Sequence, residues 1–162
     1  ISKALFIFCS AIADEIASRN HQHRAEVLVL ESIQADSLQS LQMQVQESHP
    51  LFHSIIVHFE NDIPIQVEER LVNSFLVPDY LKQDFTQITP HAYLMAHAPV
   101  TEGEHIIKAI LVSTQEAKWL KINKAEPCLL IRRRTWSNKN LISSARLIYP
   151  GHRYHLEGKF TP

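Results

Sequence analysis

Glycine and cysteine are scarce in this 162-residue chain. With three glycines there is no glycine-rich phosphate loop, and no GxSxG elbow or kinase signature occurs. The two cysteines, Cys9 and Cys128, lack CxxC spacing, which predicts a reducing cytoplasm rather than a disulfide framework. The closest pair among ten histidines, His21 and His23, has no Cys or matched carboxylate partners. We therefore predict no metal and no cofactor.

Long apolar runs and an excess of one charge are also missing. No run approaches the roughly 20 residues that span a bilayer, and residues 1–20 lack a signal-peptide pattern, so no membrane partner is expected. A net charge of -1 argues against a nucleic-acid surface on this chain itself. The apolar fraction of 45% predicts one domain with its own core. The chain opens without Met, and we expect a segment before it.

Residues 127–154 have the pattern of a β-hairpin, with aliphatic runs on both sides of a polar turn at residues 137–140. If Trp136 pairs with Leu141, strict alternation defines one face of the hairpin. That face carries Cys128, Leu130, Arg132, Arg134, Trp136, Leu141, Ser143, Ala145, Leu147 and Tyr149. An arginine on an apolar face needs an acceptor, because an unpaired buried charge is costly. The acceptor is either an internal carboxylate or an anionic ligand, unless the arginines lie at the solvated end of the strand.

A second hairpin is predicted over residues 52–72, with its turn at residues 61–63. A three-residue loop places His58 opposite Gln66 and Ile56 opposite Glu68, so His58 and Glu68 share a face. A two-residue loop would separate them. A histidine beside a glutamate is either a structural pair or part of a ligand site, and the pattern leaves both interpretations open.

The remaining pattern predicts an α+β fold of antiparallel hairpins with helices on one side. The other predicted elements are a strand at residues 4–8, a helix after Ser10, a strand at 24–34 with a buried centre, a helix capped by Asp36 with an apolar stripe of Leu38, Leu41 and Val45, a short helix at 78–85, a helix from Thr89, a strand at 100–112, a helix capped by Ser113 or Thr114, and a last strand at 153–160.

Several motifs occur together in one order along the chain. They are an N-D-x-P turn followed four residues later by Glu68, then T-P-x-x-Y-L from Thr89, R-R-T-W, and P-G-x-R-Y ending at Tyr154. This arrangement resembles the UTRA effector-binding domain of the HutC subfamily of GntR-type transcriptional regulators, over nearly the whole chain. The resemblance implies a chorismate-lyase-like α+β fold, mostly antiparallel sheet flanked by helices, that acts as a sensor and not as an enzyme.

The resemblance also implies partners and a site. A winged-helix domain would precede this chain and contact operator DNA, and the regulator would be a homodimer. The segments QVEERLVN and EPCLLIRRRTWS are most similar to regulators of histidine breakdown, for which urocanate is the inducer. The family's ligand contacts fall on His58, Glu68, Thr89 or alternatively His91, Tyr154, the helix-end amides around Ile12 and Ala13, and Arg134, for which a structural role is the alternative.

Ile56 stands where relatives that bind sugar phosphates have an arginine. This difference favours a smaller, singly charged anion such as urocanate over a phosphosugar. Two alternatives stay open at this point. Chorismate lyase shares the implied fold, so an enzyme acting on a small carboxylate is one, and a dimerisation module without a ligand is the other.

Overall fold

The computed structural model describes residues 11–159 and 161. The predicted strand at residues 4–8 and the predicted cap Ser10 lie outside these residues. Four α-helices are described: α1 (Ile12–Ser18), α2 (Ser37–Met43), α3 (Pro90–His97) and α4 (Thr114–Leu120), with a 3-10 helix at Tyr80–Lys82. The strands are β1 (His23–Gln34), β2 (Pro50–Glu60), β3 (Ile63–Asn73), β4 (Glu102–Ile110), β5 (Cys128–Ser137) and β6 (Asn140–Pro150). None of the described helices is long and apolar enough to cross a membrane.

The strands form one antiparallel sheet in the order β1-β2-β3-β6-β5-β4, which confirms the predicted α+β class. Helices cover both faces of the sheet, so the prediction of helices on one side was wrong. The face that bears Glu68 and Arg70, here called the site face, is covered by α1, the 3-10 helix and α3. On the other face Met43 of α2 packs with Leu71, and Leu120 of α4 packs with a second apolar cluster.

Three helix starts follow from side chains that satisfy free backbone amides. The Asp36 side chain accepts from the Gln39 backbone N–H, and the Gln39 side-chain oxygen accepts from the Asp36 backbone N–H. Ser113 and Glu116 form the same kind of capping box. Thr89 caps α3, with Pro90 at its first position, where a missing N–H costs nothing. These predicted starts are confirmed.

The two hairpins share one construction. Each turns over two residues with positive φ, Asn61 and Asp62 (47° and 63°) in the first and Asn138 and Lys139 (47° and 72°) in the second. Two positive φ angles in a two-residue loop match the right-handed twist of the flanking strands. In each hairpin a bulge follows within a few residues of the turn. The bulge decides which side chains reach the site face, because one extra residue reverses the alternation.

In the first hairpin the bulge restores the predicted grouping. The two-residue turn alone would pair His58 with Ile65, but the register shift pairs His58 with Gln66 and Ile56 with Glu68. The predicted pairing is confirmed, although the loop is shorter than predicted. His58 and Glu68 therefore lie on the same face.

In the second hairpin the bulge changes the predicted face. Trp136 pairs with Leu141 as predicted, but Thr135 then pairs with Ser143 and Arg133 with Ala145. The predicted placement of Arg132 and Arg134 beside Ser143 was therefore wrong. Arg133 takes the buried position on the site face, because the bulge falls between Thr135 and Trp136.

Three further predictions were wrong. Of the predicted apolar stripe of α2, Leu38 and Leu41 are exposed, at 73% and 79%, and Val45 alone packs partly against the core. The buried side chains of the helix are Ser40 and Met43. The centre of β1 is only half-buried, because β1 is an edge strand with few partners on its outer side. Residues 153–159 form a turn and irregular backbone rather than a strand.

Candidate ligand-binding site

A small cavity opens on the site face between the sheet, α1 and the start of α3. Its volume is about 10 Å³, which is close to the space that one water molecule needs. Polar side chains from β3, β5, β6 and α3 dominate its lining, which comprises Ile12, Gln66, Glu68, Arg70, Thr89, His91, Arg133, Leu147 and Tyr149. Buried polar groups around a cavity are a common mark of a ligand site.

Glu68 and Arg70 form a buried ion pair on β3. Arg70 Nε donates to Glu68 Oε2 at 2.7 Å, and Arg70 Nη1 donates to Ser143 Oγ at 3.0 Å. Burial would raise the pKa of Glu68, but the Arg70 charge and the His58 hydrogen bond outweigh it and hold the pKa well below its ordinary range. Glu68 is therefore ionised and holds the Arg70 guanidinium in place.

Two histidines extend this pair into a chain. His58 Nε2 lies 3.1 Å from Glu68 Oε1 and donates to it, because an ionised carboxylate only accepts. His58 Nδ1 lies 2.9 Å from His23 Nε2. Burial, followed by the neighbouring His58, lowers the pKa of His23 to about 4. His23 is thus neutral near pH 7. The hydrogen-bonded row His23–His58 holds the Glu68 carboxylate in place through Oε1, the oxygen that does not contact Arg70 Nε.

Among residues 11–159 and 161, two buried side-chain atoms of cavity-lining residues have no hydrogen-bond partner. They are Arg70 Nη2 and Gln66 Oε1. Gln66 Nε2 donates to the Tyr149 hydroxyl at 2.6 Å, which leaves the amide oxygen as the remaining acceptor. Both side chains are almost fully buried, at 1% and 2% exposure. A buried polar group without a hydrogen-bond partner lowers the stability of the fold by about 1–3 kcal/mol. Arg70 Nη2 is an unused donor and Gln66 Oε1 an unused acceptor, and a ligand with the complementary groups would satisfy both.

Arg133 supplies a second guanidinium to the lining, from β5. Its Nε donates to His105 Nε2 of β4 at 2.9 Å. Burial, followed by the Arg133 charge, lowers the pKa of His105 to about 4, so this ring is a neutral acceptor near pH 7. The described lining therefore includes two guanidinium groups and one carboxylate, which favours an anionic ligand.

Helix α3 brings Thr89 and His91 to the same cavity. Thr89 Oγ1 accepts from the Ala92 amide at 3.2 Å as the helix cap, and its hydroxyl proton can still be donated. Both predicted alignments for this position, Thr89 and His91, line the cavity. Glu68 lines the cavity too. His58 does not line the cavity but hydrogen-bonds the Glu68 carboxylate.

The other predicted site residues lie elsewhere. Tyr154 stacks on Tyr149 with ring centroids 3.9 Å apart, and its hydroxyl donates to Glu15 at 3.3 Å. Burial, followed by the Glu15 carboxylate, raises the pKa of Tyr154 to about 12. Tyr154 thus backs a lining residue without lining the cavity itself. Ala13 is not in the lining, whereas its neighbour Ile12 is.

Arg134 points away from the cavity. It pairs with Glu104 of β4, with Nη2 2.7 Å from the carboxylate, and it lies over the Trp136 ring. Its placement supports the structural alternative for this residue. Among residues 11–159 and 161, no three His, Cys, Asp or Glu side chains converge to hold a metal.

Sequence reasoning missed Gln66, Arg70, Arg133 and Tyr149 as site residues. A signal existed for the first two, because Gln66 and Arg70 stand two residues either side of Glu68 on the same strand and share its face. Tyr149 was already on the predicted face of the second hairpin. For Arg133 no local signal was available, because its direction depends on the bulge.

A model of the UTRA domain family matches residues 18–155, and the chain therefore belongs to the UTRA domain family. The chain is 54% identical over 150 residues to the histidine utilization repressor of Pseudomonas putida, covering 93% of this chain and 60% of that protein. The Klebsiella aerogenes histidine utilization repressor is 53% identical, with 93% of this chain and 62% of that protein covered. The chain thus spans about 60% of the length of these curated relatives.

Solved structures with the same fold include a member of this family. The C-terminal domain of the histidine utilization repressor from Pseudomonas syringae superimposes with a TM-score of 0.85 at 55% identity, covering 87% of this chain and all (100%) of that one. The effector domain of PhnF from Mycobacterium smegmatis gives a TM-score of 0.86 at 14% identity, with 95% and 96% covered. The second likeness shows a shared fold only.

Proposed function

We propose that this chain is the effector-sensing domain of a cytoplasmic, homodimeric repressor of histidine utilisation genes. In this proposal urocanate enters the cavity and causes release of operator DNA, which a winged-helix domain preceding the chain contacts. The names of the relatives, histidine utilization repressors at 53–55% identity, support the regulatory role.

The observation that carries the choice of ligand is the unpartnered pair of buried atoms. Urocanate presents a carboxylate, which accepts hydrogen bonds, at one end and an imidazole N–H, which donates one, at the other. Arg70 Nη2 is a charged donor and Gln66 Oε1 is an acceptor. The two residues are four apart on β3, so their Cα atoms are about 13 Å apart. Arg70 leans towards Gln66, because its Nε donates to Glu68, which lies between them on the same face.

Glu68 and His58 have a positioning role in this proposal. Both Glu68 oxygens are already engaged, one by His58 and one by Arg70. The carboxylate therefore holds Arg70 in place, and because each ionised oxygen has a second lone pair, it can also accept from the ring N–H of urocanate. Arg133, Thr89 and His91 complete the polar lining around the ligand.

Binding requires the cavity to widen, because its volume accommodates about one water and not a ring with an acid side chain. The sheet is held by ladders of backbone hydrogen bonds, whereas α1 and α3 contact it through side chains. We expect α1, through Ile12, and α3, through Thr89 and His91, to move away from the sheet. Such a displacement would couple occupancy to the rest of the repressor.

Isothermal titration calorimetry with urocanate, histidine, formiminoglutamate and chorismate tests this proposal. We expect urocanate to bind with a micromolar Kd, which corresponds to about 8 kcal/mol, and the others more weakly. In the full-length repressor, urocanate should lower the affinity for operator DNA. Absence of binding by all four compounds would favour a dimerisation module instead, and formation of 4-hydroxybenzoate from chorismate would favour an enzyme.

A further inference from the structure

Arg70 and Arg133 lie on the site face on either side of one small residue. Ala145 of β6 pairs with Arg70 of β3 and with Arg133 of β5. Neighbouring strands lie about 4.8 Å apart, so the two arginine Cα atoms are about 10 Å apart. Ala145 adds a methyl group between them, and both long side chains reach the cavity that they line. Two guanidinium groups therefore approach the cavity from two strands.

The two guanidinium groups are held by different kinds of acceptor. Glu68, an ionised carboxylate, accepts from Arg70 Nε at 2.7 Å. His105 of β4 accepts from Arg133 Nε at 2.9 Å, and its ring is neutral near pH 7 because burial, followed by the Arg133 charge, lowers its pKa to about 4. A neutral acceptor fixes the direction of a guanidinium without placing a negative charge beside it. The His105 contact therefore orients Arg133 without competing for its positive charge.

The strand register places His105 at this position. His105 pairs directly with Arg133 in the ladder between β4 and β5. Glu104, the preceding residue, pairs with Arg134 on the opposite face. Alternation places four β4 residues on the site face, namely Gly103, His105, Ile107 and Ala109. Within β4, which the structure describes in full, His105 is thus the one polar side chain on the face that bears Arg133.

We infer that His105 is a positioning residue of the sensor, which fixes Arg133 so that Arg133 and Arg70 bind the carboxylate of the effector from two sides. This inference rests on the proposed function and adds the second cation for the carboxylate and the residue that orients it. The guanidinium is planar and rigid, so fixing Nε also fixes the plane of both Nη groups. A planar fork binds a carboxylate with directional hydrogen bonds, and its orientation therefore affects the affinity.

The contact also assigns the tautomer of His105. Arg133 Nε donates, so His105 Nε2 must carry a lone pair, and the proton of the neutral ring then lies on Nδ1. Nitrogen NMR spectra of the ligand-free chain with isotope-labelled histidine distinguish the two tautomers. We expect the Nδ1–H form for His105 near pH 7. A ring protonated on Nε2 would overturn the inference.

Replacing His105 tests its effect on ligand affinity. His105→Leu should raise the Kd for urocanate about three- to tenfold, because Arg133 loses the acceptor that orients it. His105→Gln should recover most of the affinity, because its amide oxygen can accept from Arg133 in place of Nε2. His49→Leu is the matched control, since His49 is also half-buried but lies 3.0 Å from Asn73 outside the cavity. It should leave the Kd unchanged.

A double-mutant cycle shows whether His105 acts through Arg133. Arg133→Gln alone should weaken urocanate binding, and adding His105→Leu should then change the Kd by less than about twofold. If His105→Leu raises the Kd by the same factor with and without Arg133→Gln, His105 does not act through Arg133 and the inference fails.

The NMR spectra and the titrations separate this inference from the proposed function. Arg133 Nε–H should exchange slowly with water in the unchanged chain and in His105→Gln, and fast in His105→Leu. If these signals are found but urocanate does not bind, the proposed ligand is wrong and the positioning role of His105 stands. If urocanate binds equally well to the unchanged chain, His105→Leu and His49→Leu, the sensing proposal stands and the positioning role is refuted.

Discussion

Arg70 Nε donates to Glu68 Oε2 at 2.7 Å, and the two side chains are 1% and 3% exposed. Because β3 alternates, these residues are neighbours on the site face although Glu69 separates them in the chain. The pair places a cation at the cavity wall without leaving it uncompensated. Removing one member therefore costs more than removing both.

Arg70→Met should lower the free energy of unfolding by about 3–5 kcal/mol, because Glu68 would stay buried with His58 as its remaining partner. The double variant Glu68→Gln with Arg70→Met should lose less than the sum of the two single changes. Urea unfolding of the four proteins measures this difference. Strict additivity would show that the two groups do not interact.

Gln66→Leu should weaken urocanate binding about three- to tenfold, because it removes the acceptor Oε1 at the cavity. Arg134→Ala is the control, since Arg134 pairs with Glu104 outside the cavity. Calorimetric titration of both variants measures the effect. Equal losses of affinity in the two would place the ligand elsewhere.

The stability of the domain should depend on His23 between pH 6.5 and pH 4. Burial first, then His58, lowers the pKa of His23 from 6.5 to about 4, so the unfolded chain binds this proton at a higher pH than the folded chain does. The stability that the neutral, buried His23 contributes to the fold is present above pH 6.5 and is lost as the pH falls towards 4. His23→Gln should flatten this part of the curve.

The control for His23 is His155→Gln, because the His155 ring is 84% exposed and stays in water in both states. Chemical unfolding at several pH values between 4 and 7 gives the curves. An unchanged slope in His23→Gln would mean that His23 gains and loses its proton alike in both states.

Helix α2 offers a test of its buried face. Met43→Ala should cost about 2–5 kcal/mol, because Met43 is fully buried against Leu71 and Trp136. Leu41→Ala should change stability by less than about 0.5 kcal/mol, because this side chain is 79% exposed. Thermal or urea unfolding distinguishes the two. A large loss for Leu41→Ala would show that a partner covers this face.

The two hairpins show how far local pattern reaches. Polar turn residues and alternating runs were enough to predict both hairpins and the pairs His58 with Gln66 and Trp136 with Leu141. In the first hairpin the loop is one residue shorter than predicted and the bulge adds one residue, so the predicted pairing is kept. In the second hairpin the bulge places Arg133 on the site face, where Arg132 and Arg134 were predicted. No local sequence signal marks these bulges, because a bulge is defined by how two strands pair and not by the residues of one strand.

The resemblance to the UTRA domain is what pointed to Glu68, Thr89 and His91, and the sequence by itself determined the α+β class and the capped starts of α2, α3 and α4. Those features depend on short-range hydrogen bonds and on the periodicity of burial. Only the tertiary structure decided that Arg133 and not Arg134 reaches the cavity and that helices cover both faces. It also decided that Arg70 and Gln66 each have one buried atom without a hydrogen-bond partner among the described residues. These outcomes depend on strand register and on contacts between residues far apart in the chain, which one-dimensional patterns do not contain.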